Sequence, residues 1–342
     1  MPRMKSSSLL LVALVAFAGC KKHEDAPKPD KAPPVATAPA DAAAGSATDA
    51  GMTDAEKLAK GMADADADAA KEAARWTPEL TKAVVALRDQ KVKDVRASLA
   101  AILASPHRMP GNPDRDAARH PIETLTFFGL QPTQTVVEIG PGAGWYTEIL
   151  APFLANHGKL IVAGPDAKEP AGKQSTVGGY RLDKMLAKSP ELYGKVERVS
   201  IQSADSIKLG APNSADLVLV MRMMHDWQRD GDLDKYLAAI HAVLKPGGTL
   251  GVEAHRAKAG TKGEDTAKSG YLDEQWLIDR ITAAGFELAG KSEINANPKD
   301  TKDYPQGVWT LPPTFREGDK DKAKYAAIGE SDRMTLRFTK KK

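Results

Sequence analysis

The segment Val136-Val137-Glu138-Ile139-Gly140-Pro141-Gly142-Ala143-Gly144-Trp145 constrains this chain more than any other. Its apolar start reads as a buried strand. Three alternate glycines follow, and glycine lets a backbone pass close to a ligand with no Cβ in the way. The apolar pattern over 145–154 then opens a helix, whose first amides favour a carboxylate or a phosphate. A strand, a glycine turn and a helix make half of a βαβ unit.

The rest of the chain continues that rhythm. Apolar runs bounded by turn residues predict strands at 135–139, 160–163, 196–201 and 217–221, and at 249–254 after the turn Lys245-Pro246-Gly247-Gly248. Helical patterns lie between them at 145–154, 182–186 and 233–244. A helix over 272–284 stops at Gly285, and further strands are expected at 286–294 and 333–338. This alternation predicts an α/β fold with a parallel sheet and helices on both faces. Upstream, Thr77-Pro78 is a helix cap with proline at the first helical position. Leu80, Val84 and Leu87, then Val95, Leu99, Ile102 and Leu103, mark two helical pieces, and a short helix over 121–128 leads to Gly129. The last connection carries Pro298, Pro305, Pro312 and Pro313. It is longer than connections usually are, so packing should order it beside a site.

The first residues read as an address. Arg3 and Lys5 precede the apolar run 9–18, and Gly19-Cys20 follows. That run is too short for the roughly 20 residues of a spanning helix and fits a secretory signal. It resembles a bacterial lipoprotein signal, which implies a lipid on Cys20 and an exported protein held to a membrane, facing the periplasm or the cell surface. The chain has one cysteine, which excludes an internal disulfide and any zinc site built on several thiolates. The 48 Lys+Arg and 45 Asp+Glu leave a net charge of +3, near balance, which argues against nucleic acid as a partner. From 20 to 75 the chain is mainly Ala, Asp, Pro and Lys and reads as a disordered tether. Its Asp-Ala alternation over 63–69 has weak helical character and lacks the glycine and closing glutamate of a calcium loop. The expected organisation is a signal at 1–19, a linker at 20–75, a helical extension at 76–130 and a catalytic domain at 131–342.

A dinucleotide fingerprint is Gly-x-Gly-x-x-Gly. Here Trp145 occupies its last position, and the spacing is Gly-x-Gly-x-Gly after Glu138. This pattern resembles class I S-adenosylmethionine-dependent methyltransferases. The closer likeness is to a family of secreted bacterial predicted methyltransferases. It is carried by Arg119-His120-Pro121 with Glu123, Phe127-Phe128-Gly129, the glycine loop with Trp145-Tyr146-Thr147-Glu148, and Met224-His225-Asp226-Trp227. Glu253-Ala254-His255-Arg256, Gly307-Val308-Trp309-Thr310-Leu311-Pro312-Pro313 and Glu330-Ser331-Asp332-Arg333-Met334 complete it. The resemblance implies a doubly wound, Rossmann-like sheet of seven mostly parallel strands with an antiparallel last strand, and S-adenosylmethionine as cofactor. By position, Glu138, Gly140, Gly142 and Gly144 would hold the methionyl end. Asp205 would accept from the adenine amino group, and Met221 and Arg222 would flank the sulfonium. The acid that normally takes the ribose hydroxyls is replaced by Gly164, with Asp166 two residues on as the candidate.

Methyl transfer relies mainly on positioning, with a base where the acceptor carries a proton. His225 and Asp226, just past the fourth strand, and His255, past the fifth, are the candidate catalytic groups. Glu253 shares that rim. No pair among these has the helix-face spacing of a metal motif, and no metal is expected. The alternative for His225 is packing on Trp227. The expected function is methyl transfer to a small molecule. Gly164 and the export signal favour a second reading, a binding or scaffold protein on the same fold, and Trp145 opposes a nicotinamide enzyme. The methyl acceptor and the oligomeric state are left open.

Overall fold

The computed structural model describes residues 52–168 and 174–341. Seven strands form one sheet: β1 (Thr135–Ile139), β2 (Lys159–Pro165), β3 (Glu197–Ile201), β4 (Ala215–Met221), β5 (Leu244–His255), β6 (Phe286–Ser292) and β7 (Arg333–Lys340). Their order is β3-β2-β1-β4-β5-β7-β6. Strands β1 to β5 pair in parallel, and β7 runs antiparallel between β5 and β6. The expected doubly wound sheet is therefore present, with its last strand reversed.

The side-chain alternation of the central strands divides the core into two layers. Val137, Ile139, Val218 and Val220 face one layer, with Leu237, Ile240, Leu277 and Ile281 from helices Leu233–Val243 and Glu274–Ala283. Val136, Leu217 and Leu219 face the other, with Ile149, Leu150, Leu99 and Ile102 from helices Thr147–Leu154 and Val95–Leu103. The upstream helices thus pack on the sheet; helix Pro78–Arg88 adds Leu80 and Val84 and is capped by Thr77, whose side chain accepts from Leu80 N.

Two features set the site. The strand order reverses between β1 and β4, so loops leaving their C-terminal ends part and open a crevice. Because β7 is antiparallel, it begins at that same edge, where Arg333 pairs with His255.

The last part of the expected tether, up to residue 75, is helical instead. Asp54–Arg75 is a helix with a capping box, in which Glu56 N donates to the Thr53 hydroxyl and the Glu56 carboxylate accepts from Thr53 N. It packs on helix Gln174–Ala187 through charge: Asp66 accepts from Tyr180 Oη at 2.7 Å and pairs with Lys184 at 2.9 Å, and Glu72 pairs with Lys188 at 3.1 Å. Alanine's helix propensity and these ion pairs hold a segment whose poverty in large apolar residues reads as disorder. Helix Gln174–Ala187 also exceeds the expected 182–186, because Gly178 and Gly179 hide its first half. Strand β5 begins at Leu244, ahead of the expected 249, and takes in the Pro246-Gly247-Gly248 run. Residues 1–51, with the signal and Cys20, lie outside the described residues. No described helix is long and apolar enough to cross a membrane.

Candidate active site

The crevice encloses about 1080 Å³ of space between atoms, part of it open to solvent. One end is made by the glycine loop. Gly140, Gly142 and Gly144 have φ of 65°, 56° and 85°, a region L side chains rarely adopt. Gly140 N donates to Ala163 O at 2.8 Å, tying the loop to β2, and a Cβ on Gly140 would stand 2.7 Å from Met223 Cγ. Gly140, Pro141 and Gly142 line the crevice, whereas Gly144 packs against Met185. Glu138 lies behind the loop, 2% exposed, accepting from the Thr147 hydroxyl at 2.7 Å. Burial pushes its carboxyl up to about 7, against the pull of that hydrogen bond and the charge of Arg222.

The other end is built from side chains. Met221 and Arg222 follow β4 and line the crevice, as do His225, Asp226 and His255. Arg222 has a φ of 61°; its backbone N–H donates to Glu253 O at 2.7 Å, and its guanidinium donates to Glu253 Oε1 at 3.1 Å. His225 is 4% exposed and does not pack on Trp227, which stacks on Tyr236 with ring centres 4.0 Å apart. Instead its ring lies 5.4 Å from His255 and 5.7 Å from Trp309. Its Nε2 stands 3.5 Å from Asp226 Oδ2, and its Nδ1 is buried with no hydrogen-bond partner among the described residues. Asp226 is itself held by Arg229 at 2.6 Å. His255 Nδ1 meets the Ser331 hydroxyl at 2.5 Å. Burial holds the imidazole of His225 below its ordinary range and that of His255 well below it, so both are neutral near pH 7.

Beneath these rings runs a buried ion cluster that sequence reasoning left out of the site. Glu330 pairs with Arg119 at 3.0 Å, with Arg115 at 3.4 Å and with Arg333 at 2.5 Å. Arg333 also lies 2.9 Å from Glu253, which accepts from Tyr146 Oη at 3.3 Å. The available signal was Glu330-Ser331-Asp332-Arg333, four polar residues heading an apolar strand. Arg119, Glu330 and Ser331 reach the crevice wall. The long connection before β7 does border the site: Val308, Trp309, Pro312, Pro313 and Thr314 close one side. It is stapled by Asn297, which donates to Ile328 O and Glu330 O, and by Asp300, which accepts from Tyr271 Oη and Asp332 N. Trp145 is core, donating from Nε1 to Asn112 O at 3.0 Å.

Two expected cofactor contacts stand apart from the crevice lining. Asp205 is exposed and paired with Lys235 at 2.6 Å. Asp166 turns back on its own loop, accepting from Lys168 N at 2.8 Å. At Gly164 a Cβ would meet Leu182 and Pro141 at 3.4 Å, ordinary van der Waals contact. No group of three or more His, Cys, Asp or Glu among the described residues gathers as metal ligands would.

Residues 137–252 match a family model described as a methyltransferase domain. Over that stretch the chain is similar to a methyltransferase domain, in keeping with the Rossmann-like sheet described above. No curated protein matches the sequence. Among solved structures, the domain is similar to a SAM-dependent methyltransferase from Aquifex aeolicus, at 17% identity over 72% of this chain and 99% of that one, TM-score 0.43. It is also similar to the N-methyltransferase NodS from Bradyrhizobium japonicum in complex with S-adenosyl-L-homocysteine, at 14% identity over 73% and 100%, TM-score 0.39. A third is the [4+2]-cyclase SpnF, at 18% identity over 66% and 80%, TM-score 0.46. S-adenosylmethionine is the cofactor that this likeness implies for the domain. The positive-φ glycines fit its methionyl end. Among the described residues neither Asp166 nor Asp205 lines the crevice.

Proposed function

We propose that the protein transfers a methyl group to a small-molecule acceptor seated against His225, and that it does so as an exported protein tethered by a lipid on Cys20. One observation carries the reading: the glycine loop and the buried His225 border a single crevice. Gly140, Gly142 and Met221 are the residues that would hold the cofactor, which supplies an electrophilic methyl group on a sulfonium. Asp226 favours the His225 tautomer with its proton on Nε2, which leaves Nδ1 to take the proton of an acceptor hydroxyl. The walls from Trp309 to Thr314 keep water from competing with the acceptor.

Calorimetry of the full chain with S-adenosylmethionine and S-adenosylhomocysteine tests the first half. His225→Ala should keep S-adenosylhomocysteine affinity while lowering transfer by roughly 10²-fold, the scale of a lost acid–base group. With its pKa lowered by burial, His225 should lose activity to acid only below about pH 6.5. Equal turnover by variant and wild type at every pH would end the role. The position of Asp166 and Asp205 off the crevice lining favours a second reading, a ligand-binding protein on this fold. Binding without transfer across a broad screen of phenols, thiols, amines and acids would select it. For the tether, Cys20→Ser should leave the membrane fraction, and retention after a high-salt wash would rule out lipidation.

A further inference from the structure

We propose that helix Asp54–Arg75 is a charge-latched strap whose seating sets how tightly the crevice holds its cofactor. The inference rests on the methyltransferase reading and adds a control of the same site. Helix Gln174–Ala187 serves two sides. Gly178 and Leu182 line the crevice beside Pro141 and Gly142. Arg181, Lys184 and Met185 line a second cavity, across from Ala65 and Ala69 of the strap. This cavity encloses about 560 Å³ between atoms, part of it open to solvent, and it reaches the glycine loop at Ala143. Met185 belongs to both sides. It lines the cavity, and a Cβ on Gly144 would stand 2.7 Å from its Cε. A movement of the strap is therefore felt at the loop through one side chain.

The strap is gripped unevenly. Its C-terminal end is fixed by buried charge: Glu72 pairs with Arg75 at 2.5 Å and with Lys188 at 3.1 Å, and Lys188 also pairs with the buried Glu148 at 2.9 Å. Pulling one member away would leave the others charged and uncompensated in the interior. The N-terminal half rests on surface contacts. The exposed Asp66 accepts from Tyr180 Oη at 2.7 Å and pairs with Lys184 at 2.9 Å, and a Cβ on Gly61 would stand 3.0 Å from Val177. Exposed ion pairs contribute little and are screened by salt. Of the strap's 22 residues, Ala65 and Glu72 are buried, so little apolar area holds it down. Segments with few buried apolar contacts open at a small part of the global stability. The two grips put a hinge near Glu72 and the free end at Asp54, the end from which the chain runs back to residue 1. Seated, the strap backs Met185, and Met185 backs Gly144 at its φ of 85°. Released, it opens the cavity to water and takes that support from the loop. Linkage is reciprocal, so a cofactor that prefers the seated form must also seat the strap.

Hydrogen exchange on the full chain tests the coupling without any substitution. Amides over 54–66 should exchange at least about fivefold more slowly with saturating S-adenosylhomocysteine, the low end of coupling between two sites. Equal rates with and without it would overturn the strap. Asp66→Lys then sets like charge against Lys184 at the surface, away from the buried cluster. It should speed exchange over 54–66 and weaken S-adenosylhomocysteine in calorimetry by a similar factor, and adding Lys184→Asp should restore both. Faster exchange with affinity held within about twofold would show a strap uncoupled from the crevice, and unchanged exchange would show that charge does not latch it. Either result would overturn the inference and leave the methyltransferase reading standing. Failure of S-adenosylhomocysteine to bind the wild type would remove that reading, and this one with it.

Discussion

The two ends of the crevice are made in different ways. The glycine-loop end comes from one run of chain, 138–144, and its binding surface is backbone held in conformations only glycine adopts freely. The His225 end joins Arg119, Arg222, Glu253, His255, Trp309 and Glu330, and one of its ion pairs, Arg119–Glu330, spans 211 positions. The first end carries a single buried acid behind a turn of positive-φ backbone. The second is a low-dielectric cluster in which every charge depends on its neighbours. The glycine-loop end should therefore fail when a side chain is added and the His225 end when one is removed.

The largest expected effect lies at the His225 end. Glu253→Ala strips the shared partner from Arg222 and Arg333 and should cost about 3–5 kcal/mol, a fall in Tm on the order of 10 °C. A thermal melt moving by less than about 2 °C would show that the cluster is not holding that edge. At the glycine loop, Gly142→Val puts a branched side chain at a φ of 56° in the crevice wall. S-adenosylhomocysteine affinity should drop about 100-fold or more with the fold retained; an unchanged Kd in a folded variant would remove the loop from the binding surface.

The third prediction uses the one acid at the glycine-loop end. Glu138 titrates near 7 in the folded protein and at its ordinary 4.5 when unfolded. Between those values the folded state holds a proton that the unfolded state has released. Stability should thus fall as pH rises from about 4.5 through 7, by on the order of 1–3 kcal/mol. Glu138→Gln should flatten that slope in denaturant melts run across the window, and a slope equal to wild type would show that the carboxyl is not desolvated. The smallest effect is expected at Asp205→Asn. An exposed acid paired with Lys235 contributes less than about 1 kcal/mol, and cofactor affinity should change less than about twofold. A tenfold loss in calorimetry would restore Asp205 as the adenine contact that the resemblance implied.

Legibility followed the range of the interactions. The strands were readable because period-two apolar runs bounded by turns depend on neighbours a few residues away; Thr135–Ile139 was placed to the residue. His225 and His255 line the crevice, since a residue just past a parallel strand sits at the sheet's C-terminal edge. The helix Asp54–Arg75 is not legible in its own segment because its partners, Tyr180, Lys184 and Lys188, lie more than 100 residues away and bind it by charge. Asp166 and Asp205 were carried over by position in a motif, and position in sequence does not fix where a loop side chain turns.

By itself, then, the sequence determined the α/β alternation, the seven strands and the backbone cradle after β1, because each rests on local propensity and on φ values that only certain residues permit. The reversal of the last strand was expected from the resemblance, but only the tertiary structure showed that β7 delivers Glu330, Ser331 and Arg333 to the rim of His225 and His255. Tertiary structure also decided that Trp309 arrives there from a 40-residue connection. Burial then set the chemistry. The same imidazoles and carboxyls in water would titrate at their ordinary values, and a desolvated edge shared by distant segments holds both histidines below theirs.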